Sequence, residues 1–252
     1  MIVKHLKGRG DQEHGFTLVE LLVAMAMLGI VMGAIYSTYK SQQDSYVVQE
    51  EVVQMQQNLR AALHLLGKDL RAAGYNPAKN PDIEGFLTEI PEEESAGSPE
   101  TSTSTTSLAM TADLDMNASI NADDHTEQLA YRFNNGSLTL EKFIYDSDAD
   151  TWNWQTVADN IDAANFVYLD EDGNPLDPAT DTNLPLIRSV QVTILARTGK
   201  VTRDFTNNQT YENKMDPTDT DEAPYYWSFT APGDNYRRRL LSTTIFCRNM
   251  GI

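Results

Sequence analysis

The sequence contains few of the residues on which disulfide, metal and nucleic-acid chemistry depend. Its 252 residues include one cysteine, Cys247, which excludes an intramolecular disulfide and a cysteine-based zinc site. Four histidines leave little material for a histidine-rich metal centre. Basic side chains number 19 against 37 acidic ones, and the resulting net charge of −18 disfavours a surface that binds nucleic acid or anionic lipid headgroups.

Motifs that carry catalysis are missing as well. The sequence shows no serine nucleophile elbow, no cysteine and histidine pairing and no phosphate-binding loop. After residue 74, His125 is the only histidine. We therefore predict that the protein is not an enzyme.

One uninterrupted apolar run lies near the amino end. Between Phe16 and Tyr36, Glu20 is the only charged residue. An α-helix over these residues would be roughly 31 Å long, which matches the hydrocarbon core of a bilayer. We predict that residues 16–36 cross a membrane. The apolar transmembrane residues include Phe16, Leu18, Leu21, Leu22, Leu28, Ile30, Val31 and Ile35.

The flanking charges predict the orientation of this segment. Residues 1–15 carry three basic and two acidic side chains, so the amino side is slightly positive. The positive-inside tendency keeps that side in the cytoplasm and sends the remainder outward. We therefore expect a single-pass membrane protein with a cytoplasmic amino terminus.

Three interpretations of the apolar run compete. A secretory signal would be cut beside small residues, for which Ala24-Met25-Ala26 could serve. A plain membrane anchor is the second interpretation. Neither provides a partner for Glu20, although a carboxylate near mid-membrane costs about 2–3.5 kcal/mol. The third interpretation is therefore that Glu20 pairs with another group inside the membrane or in an assembly.

The residues around Glu20 carry a family resemblance. The sequence Gly15-Phe16-Thr17-Leu18-Val19-Glu20 follows a short charged leader and opens the apolar run. It resembles the processing site of type IV prepilins and of the related type II secretion pseudopilins. The resemblance implies that prepilin peptidase cuts between Gly15 and Phe16 on the cytoplasmic side and that the new amino terminus of Phe16 is methylated. It also implies that Glu20 pairs with the Phe16 amine of a neighbouring subunit in a filament.

Apolar residues continue at helical spacing beyond the membrane segment. Gly74 and Pro77 then provide a helix stop. We predict that residues 37–74 form an amphipathic helix that continues from residues 16–36 and packs against a globular head. The two adjacent apolar stripes are Val52, Leu59, Leu66 and Ala73, and Val48, Met55, Leu63 and Leu70.

Residues 75–252 are predicted to form a β-rich head outside the cytoplasm. From Gly74 onward the chain carries 12 basic and 30 acidic side chains, which places nearly all the acidity there. The expected fold class is α+β, with one long helix packed on an antiparallel sheet, and residues 91–107 are expected to be an exposed loop. Predicted strands cover Leu129–Phe133 and Leu138–Ile144 around an Asn135-Gly136 hairpin, and also Asn165–Leu169, Val190–Ala196 and Leu240–Cys247.

Four segments extend the resemblance to PilW-type minor pilins and, through them, to J-type minor pseudopilins. These segments are Leu70–Tyr75, Asn165–Leu176, Ile187–Thr198 and Arg237–Asn249. The resemblance implies a minor pilin of low abundance that helps to prime type IV pilus assembly and lies at or near the tip. Its implied partners are prepilin peptidase, other minor and major pilins and the inner-membrane assembly platform. Loops 91–107 and 203–235 are where the chain is expected to differ from its relatives.

Two alternative functions remain open at this stage. A minor pseudopilin of type II secretion would obey the same physics and serve protein export. A tip adhesin would use the head as a binding module. The aromatic run Tyr225-Tyr226-Trp227 either packs on the core or forms such an adhesive patch.

Calcium is the one cofactor that the acidic clusters suggest. Asp146, Asp148 and Asp150 have the spacing of the first three ligands of a calcium loop, but the glycine and glutamate of that loop are replaced by Thr151 and Val157. Asp170 and Asp172, in a turn, are calcium candidates of the same kind, and the loop pattern fails there too. We expect solvated turns at both places and no resident cofactor.

Mass spectrometry of the mature amino terminus tests the processing hypothesis. We expect a chain that begins at Phe16 and carries one methyl group on its amine. A chain that begins near Ala26 would instead support a secretory signal and would overturn the assignment.

Overall fold

A computed structural model describes residues 15–80, 83–88, 103–120, 127–146 and 151–251. These residues form one long α-helix and antiparallel sheets, and the chain divides into two compact units, Met1–Gln49 and Glu50–Ile252. Helix α1 runs from Leu18 to Ala72. The strands are β1 (Ser107–Thr111), β2 (Gln128–Asn134), β3 (Thr139–Asp146), β4 (Thr151–Ala158), β5 (Ile161–Leu169), β6 (Pro175–Leu176), β7 (Ser189–Arg197), β8 (Thr210–Glu212), β9 (Ser228–Thr230) and β10 (Arg238–Phe246).

The strands form two four-stranded sheets and one small ribbon. The first sheet has the order β1-β2-β3-β4, and the second has the order β10-β7-β5-β6. Strands β8 and β9 pair only with each other. Every pairing is antiparallel, and β10 matches β7 over nine residue pairs without a register shift. The predicted α+β class is confirmed.

The carboxyl-terminal part of α1 buries its apolar stripe in the head. Leu59, Leu66 and Leu70 are completely buried there, and Val52 and Leu63 pack against the same cluster. Full burial of one leucine side chain contributes about 1.5–3 kcal/mol, so this stripe is a major source of head stability. The amphipathic helix predicted from the sequence is thus confirmed. From the two sheets, the cluster includes Leu108, Met110, Tyr131, Leu140, Phe166, Tyr168, Val190, Val192 and Ile194.

The end of α1 is closed by the carboxyl end of the chain. Gly74 has a φ of +72°, which favours glycine, and a Cβ at this position would lie 2.5 Å from Sδ of Met250. A Cβ at Gly85 would clash with the same sulfur. The side-chain amide of Asn249 donates to the carbonyl oxygen of Arg71 at 2.9 Å. The predicted helix stop is therefore confirmed, and its glycine leaves room for Met250.

The segment 203–235 covers one face of the second sheet. It contains β8 and β9 and packs on the face of the second sheet that points away from α1. Because both faces are covered, alternating polar residues of β7 such as Gln191 and Thr193 are buried together with the apolar ones. The two contact clusters join Ala163 and Leu195 to Tyr211, Ala231, Trp227 and Phe229, and Val167 and Leu169 to Met215, Tyr225 and Tyr226.

The predicted exposed loop 91–107 is wrong at its carboxyl-terminal end. Thr103 is buried, and its hydroxyl donates to the carbonyl oxygen of Leu87 and accepts the amide N–H of Ala109. Ser107 begins β1. The polar composition of this segment indicated an exposed loop. Here, however, threonine and serine hydroxyls bind backbone groups beside a strand, which allows them to be buried. Residues 91–102 lie outside the described residues.

A buried charge lies where α1 crosses the first sheet. Asp69 of α1 forms an ion pair with Lys142 of β3 at 2.6 Å between Oδ2 and Nζ, and the Tyr131 hydroxyl donates to the same oxygen at 2.5 Å. Burial, and then the bond to Asp69, raise the pKa of Tyr131 well above its ordinary value, so the phenol stays protonated. The Asp69 carboxylate of α1 thus binds side chains of both β2 and β3.

Substitution Asp69→Ala is expected to destabilise the head by about 3–5 kcal/mol, because it leaves the half-buried Lys142 ammonium and the buried Tyr131 hydroxyl without their shared partner. Asp44→Ala is a matched control, since Asp44 forms an exposed i,i+4 pair with Lys40 on the same helix, and its loss should cost about 0.3–0.5 kcal/mol. Urea unfolding of the detergent-solubilised full chain, followed by tryptophan fluorescence, measures both. Equal costs for the two variants would show that the buried pair does not stabilise the head.

Candidate processing and assembly site

Helix α1 begins with a capping box. Thr17 immediately precedes the helix, and its hydroxyl accepts the amide N–H of Glu20 at 3.3 Å. The Glu20 carboxylate in turn accepts the backbone N–H and the hydroxyl of Thr17, both at 2.9 Å. This reciprocal arrangement satisfies amide donors that the first turn of a helix leaves unpaired. Both residues follow the predicted cut, so the box belongs to the mature chain.

Residues 16–35 present an apolar surface. Between Phe16 and Ile35 the large apolar side chains have exposed fractions from 49% at Val23 to 89% at Phe16. By length and composition, α1 can cross a membrane, and none of its most apolar window is buried. A helix that is apolar all round needs hydrocarbon or other helices as its surroundings.

Gly15 precedes this helix in open space. A Cβ added to Gly15 would meet no other atom within 4 Å, and its backbone does not have a positive φ. Nothing within the described chain therefore requires glycine at this position. Cleavage after Gly15 stays a prediction.

The calcium candidates separate into two groups. The side chain of Asp146 and the residues Asp148 and Asp150 lie outside the described residues. Asp170 accepts the backbone N–H groups of Asp172 and Asn174 at 2.9 and 2.7 Å, which folds the predicted turn. Slight burial raises the pKa of Asp170, but these bonds and the Asn174 amide outweigh it and lower the pKa. Calcium binding stays a prediction that no contact here tests.

Three other carboxylates converge between β1 and β2. Asp113, Asp115 and Glu127 each place an oxygen within 4.8 Å of the others. Carboxylate oxygens suit hard cations such as calcium. However, the Asp113 oxygens accept the N–H groups of residues 117 and 118, and Oε1 of Glu127 accepts those of residues 114 and 115. The loop amides thus stabilise these charges. The sequence analysis missed this group because Glu127 is distant in sequence and is brought close only by the strand pairing.

The sequence of the helix and head matches two family profiles. The profile of the family described as prepilin peptidase-dependent protein B matches residues 49–214, well over half of the chain. The chain belongs to this family. A second profile, the prokaryotic N-terminal methylation motif, matches residues 11–36 and so covers Gly15, Phe16, Thr17 and Glu20. A search of curated proteins found no match.

A solved pilin structure supports the fold described above. The chain is similar to a type IV-like pilin from Thermus thermophilus, with a TM-score of 0.50 and 16% sequence identity. The match covers 78% of this chain and 97% of the pilin. At this identity the likeness concerns the fold alone, and it supports the pilin-like α+β architecture predicted above.

The capping role of Thr17 is a residue assignment that the sequence analysis missed. The signal was present, because threonine followed three residues later by glutamate before an apolar run is typical of a capping box. In the structure of the single chain, Glu20 bonds within its own first turn.

Substitution Thr17→Val is expected to loosen the start of α1, because valine has the same shape and no hydroxyl. Loss of an N-cap costs about 1 kcal/mol, so amide hydrogen exchange at residues 18–21 should accelerate about fivefold in detergent-solubilised protein. Thr38→Val is the matched control, since the Thr38 hydroxyl donates to the Ala34 carbonyl in mid-helix. Unchanged exchange at residues 18–21 in the Thr17 variant would contradict the capping assignment.

Proposed function

We propose that this pilin-like protein is a minor pilin, a structural subunit that helps to start type IV pilus assembly at or near the tip. Prepilin peptidase cuts between Gly15 and Phe16 and methylates Phe16. Other minor and major pilins and the inner-membrane assembly platform are the partners of the mature chain. The protein acts by assembly and needs no cofactor.

The observation that carries this proposal is the exposed apolar surface of α1 with its single carboxylate. An apolar helix surface over residues 16–36 is stable in a bilayer before assembly and among the helices of a filament afterwards. Hydrocarbon on its own gives Glu20 no partner of opposite charge. A filament does, because the free amine that the cut creates on Phe16 of one subunit can reach Glu20 of the next.

In the single chain, the capping box holds the Glu20 carboxylate until such an amine arrives. The carboxylate has two oxygens and several acceptor positions, and Thr17 occupies positions on Oε2. Oε1 can therefore accept a hydrogen bond from an amine without loss of the cap. The same residue thus serves the helix start and the contact between subunits.

The orientation follows the charge distribution. The slightly basic residues 1–15 remain on the cytoplasmic side until the cut, and the acidic head lies in the periplasm or at the cell surface.

Two substitutions at Glu20 separate its two roles. Glu20→Ala removes both the charge and the cap, whereas Glu20→Gln keeps a capping acceptor and removes only the charge. We expect membrane insertion and Phe16 methylation to persist in both, and the fraction of the chain recovered in sheared filaments to fall at least tenfold in both. Membrane flotation, terminal mass spectrometry and quantitative blotting of filaments provide the three measurements.

Asp44→Ala serves as control, because it removes a carboxylate of the same helix outside the apolar segment. Filament incorporation of Glu20→Gln at the wild-type level would show that capping is sufficient and would refute the charge pairing. A deletion strain assigns the system: loss of surface pili supports the pilus, whereas retained pili with loss of secreted enzymes would place the chain in a type II secretion pseudopilus.

A further inference from the structure

Strand β10 forms one edge of the second sheet. The strand order β10-β7-β5-β6 places it at the end of the sheet, and β7 is the one strand with which it pairs in the part of the chain that the structure describes. It is nine residues long, and its pairing with β7 has no register shift. An edge strand of this kind presents a row of unpaired backbone groups to other chains.

The hydrogen bonds at the two ends of β10 show which of its residues face outward. The amide N–H of Thr198 donates to the carbonyl oxygen of Arg237, and the amide N–H of Cys247 donates to the carbonyl oxygen of Arg188, both at 2.9 Å. Along an antiparallel strand, residues that bond to the partner alternate with residues that point away from it, so the odd-numbered residues of β10 bond to β7. The N–H and C=O groups of residues 240, 242, 244 and 246 therefore point to the open side, where no other described residue makes a backbone hydrogen bond to them.

The other edges of the two large sheets are protected. Strand β6 has two residues and begins with Pro175. The segment 85–87 exchanges backbone hydrogen bonds with β1, and the register of β4 against β3 contains a shift. Short strands, proline, covering segments and bulges are the usual means by which a sheet edge avoids unwanted pairing. Between Leu240 and Phe246, β10 has no bulge, no charged residue, no proline and no glycine, so this edge is suited to accept a further strand.

Space for a further strand lies beside the start of β10. A groove of about 460 Å³ is lined by residues 209–213, which include β8, and by residues 238–240, and Glu212 is the one acidic residue in this lining. At the other end of the edge, the side chain of Phe246 is 69% exposed. A strand that lies along the open side would reach both the groove and this ring.

The charges along β10 differ from those of the rest of the head. Residues 235–252 contain four arginines and no acidic residue, whereas residues 74–252 contain 12 basic and 30 acidic side chains. Arg238 is paired with two aspartates. Arg239 and Arg248 are exposed, and neither forms an ion pair with the described residues. A partner that pairs along this edge should therefore carry acidic residues at the ends of its strand.

A second copy of the chain does not meet this requirement. If two β10 strands paired antiparallel about Ser242, Cys247 of one copy would lie opposite Arg237 of the other. Arg248 of the first copy would then be adjacent to the arginines of the second, and like charges on neighbouring strands repel. The two acidic heads would repel each other as well.

We propose that the open side of β10 binds an extended segment of a different protein, which adds to the second sheet as a strand and carries Asp or Glu at its ends. In this mode of recognition, backbone hydrogen bonds to residues 240–246 provide the affinity, and the flanking charges select the partner. The contact uses the head and is independent of the contact proposed between Glu20 and Phe16, so each can fail without the other.

Amide hydrogen exchange of the full-length chain in uncharged detergent micelles, resolved by residue, measures the state of the edge. In the free chain, amides 241, 243 and 245 should be protected, and amides 240, 242, 244 and 246 should exchange at least a hundredfold faster. Protection of the even-numbered amides in the monomeric chain would show that the chain already covers its own edge and would overturn the proposal. A dimer in sedimentation with these amides protected would also overturn it, since a second copy would then be the occupant.

A synthetic peptide with the sequence Glu-Glu-Val-Thr-Val-Thr-Val-Glu-Glu, acetylated and amidated at its ends, is the probe, because it has a β-forming centre and acidic ends. Its binding is read from the fluorescence anisotropy of an attached fluorescein in 10 mM and in 150 mM salt. We expect saturable binding that protects amides 240, 242, 244 and 246 and that weakens at the higher salt. Absence of saturation at 1 mM peptide in 10 mM salt, or protection confined to other parts of the head, would refute strand addition at β10.

Two altered peptides separate backbone pairing from charge. The same peptide with N-methyl groups on its five central residues keeps every side chain and charge but cannot donate hydrogen bonds from its centre. The peptide with lysine in place of glutamate keeps the donors and reverses the charge. Each should bind at least tenfold more weakly in 10 mM salt. Equal binding of the N-methylated peptide would reduce the interaction to charge attraction, and equal binding of the lysine peptide would refute the requirement for an acidic partner.

Two variants at one position provide a matched pair. Thr244→Pro removes one outward N–H without removing a bond to β7, and Thr244→Val keeps that N–H with a side chain of the same shape. Binding of the acidic peptide should weaken at least tenfold in the proline variant and stay unchanged in the valine variant. Equal binding by both would contradict pairing along β10. If Thr244→Pro fails to unfold cooperatively on heating, the exchange footprint of the unmodified chain decides.

Arg248→Gln measures the contribution of the flanking charge. It should weaken binding of the acidic peptide severalfold in 10 mM salt and little in 150 mM salt, because Arg248 is exposed and its field is screened. Unchanged binding at both salt concentrations would show that this arginine does not select the partner.

Discussion

Helix α1 has to remain one continuous helix while its surroundings change along its length. In the amino-terminal unit its apolar residues point in all directions, which suits hydrocarbon or neighbouring helices. From Met55 onward only one stripe is apolar, and that stripe is buried in the head. The head core is built around this buried stripe. Both large sheets contribute side chains to the core around Leu59, Leu66 and Leu70. Asp69 adds a directional contact to this otherwise non-directional packing, because its carboxylate accepts from one phenol and one ammonium on neighbouring strands.

The parts of the structure that local patterns specify were predictable. The apolar run, the helical stripe, the stop at Gly74 and the hairpin at Asn135-Gly136 each depend on residues that are close in sequence, and the structure contains the helix, its end and the hairpin. Strand β4 was not predicted, because its sequence TWNWQTVA mixes two tryptophans with polar residues and has no continuous apolar face. The burial of Gln191 and Thr193 was also missed, since it depends on the distant segment 203–235 packing on their side of the sheet.

The candidate site shows the same division. Gly15, Phe16 and Glu20 were predicted from a short motif, and the methylation-motif profile covers all three. The roles proposed for them in cutting and in subunit pairing depend on an enzyme and on neighbouring subunits, so a local contact is all that a single chain can display. What Glu20 does alone is to cap its helix through Thr17, a local interaction. By contrast, the convergence of Asp113, Asp115 and Glu127 depends on strand pairing and has no signature in the sequence.

The contact between Met250 and the two glycines gives the head a particular mechanical arrangement. Because Met250 occupies the space beside Gly74 and Gly85, and Asn249 bonds the last carbonyls of α1, the helix end is fastened to residues that directly follow β10. A load that arrives along this end of α1 is therefore passed on to the residues that follow β10. Strand β10 is joined to β7 by nine consecutive residue pairs, whose hydrogen bonds run across the strands and share a load applied along them. The end of α1 is thus attached next to the strand that has the longest uninterrupted pairing of the described head.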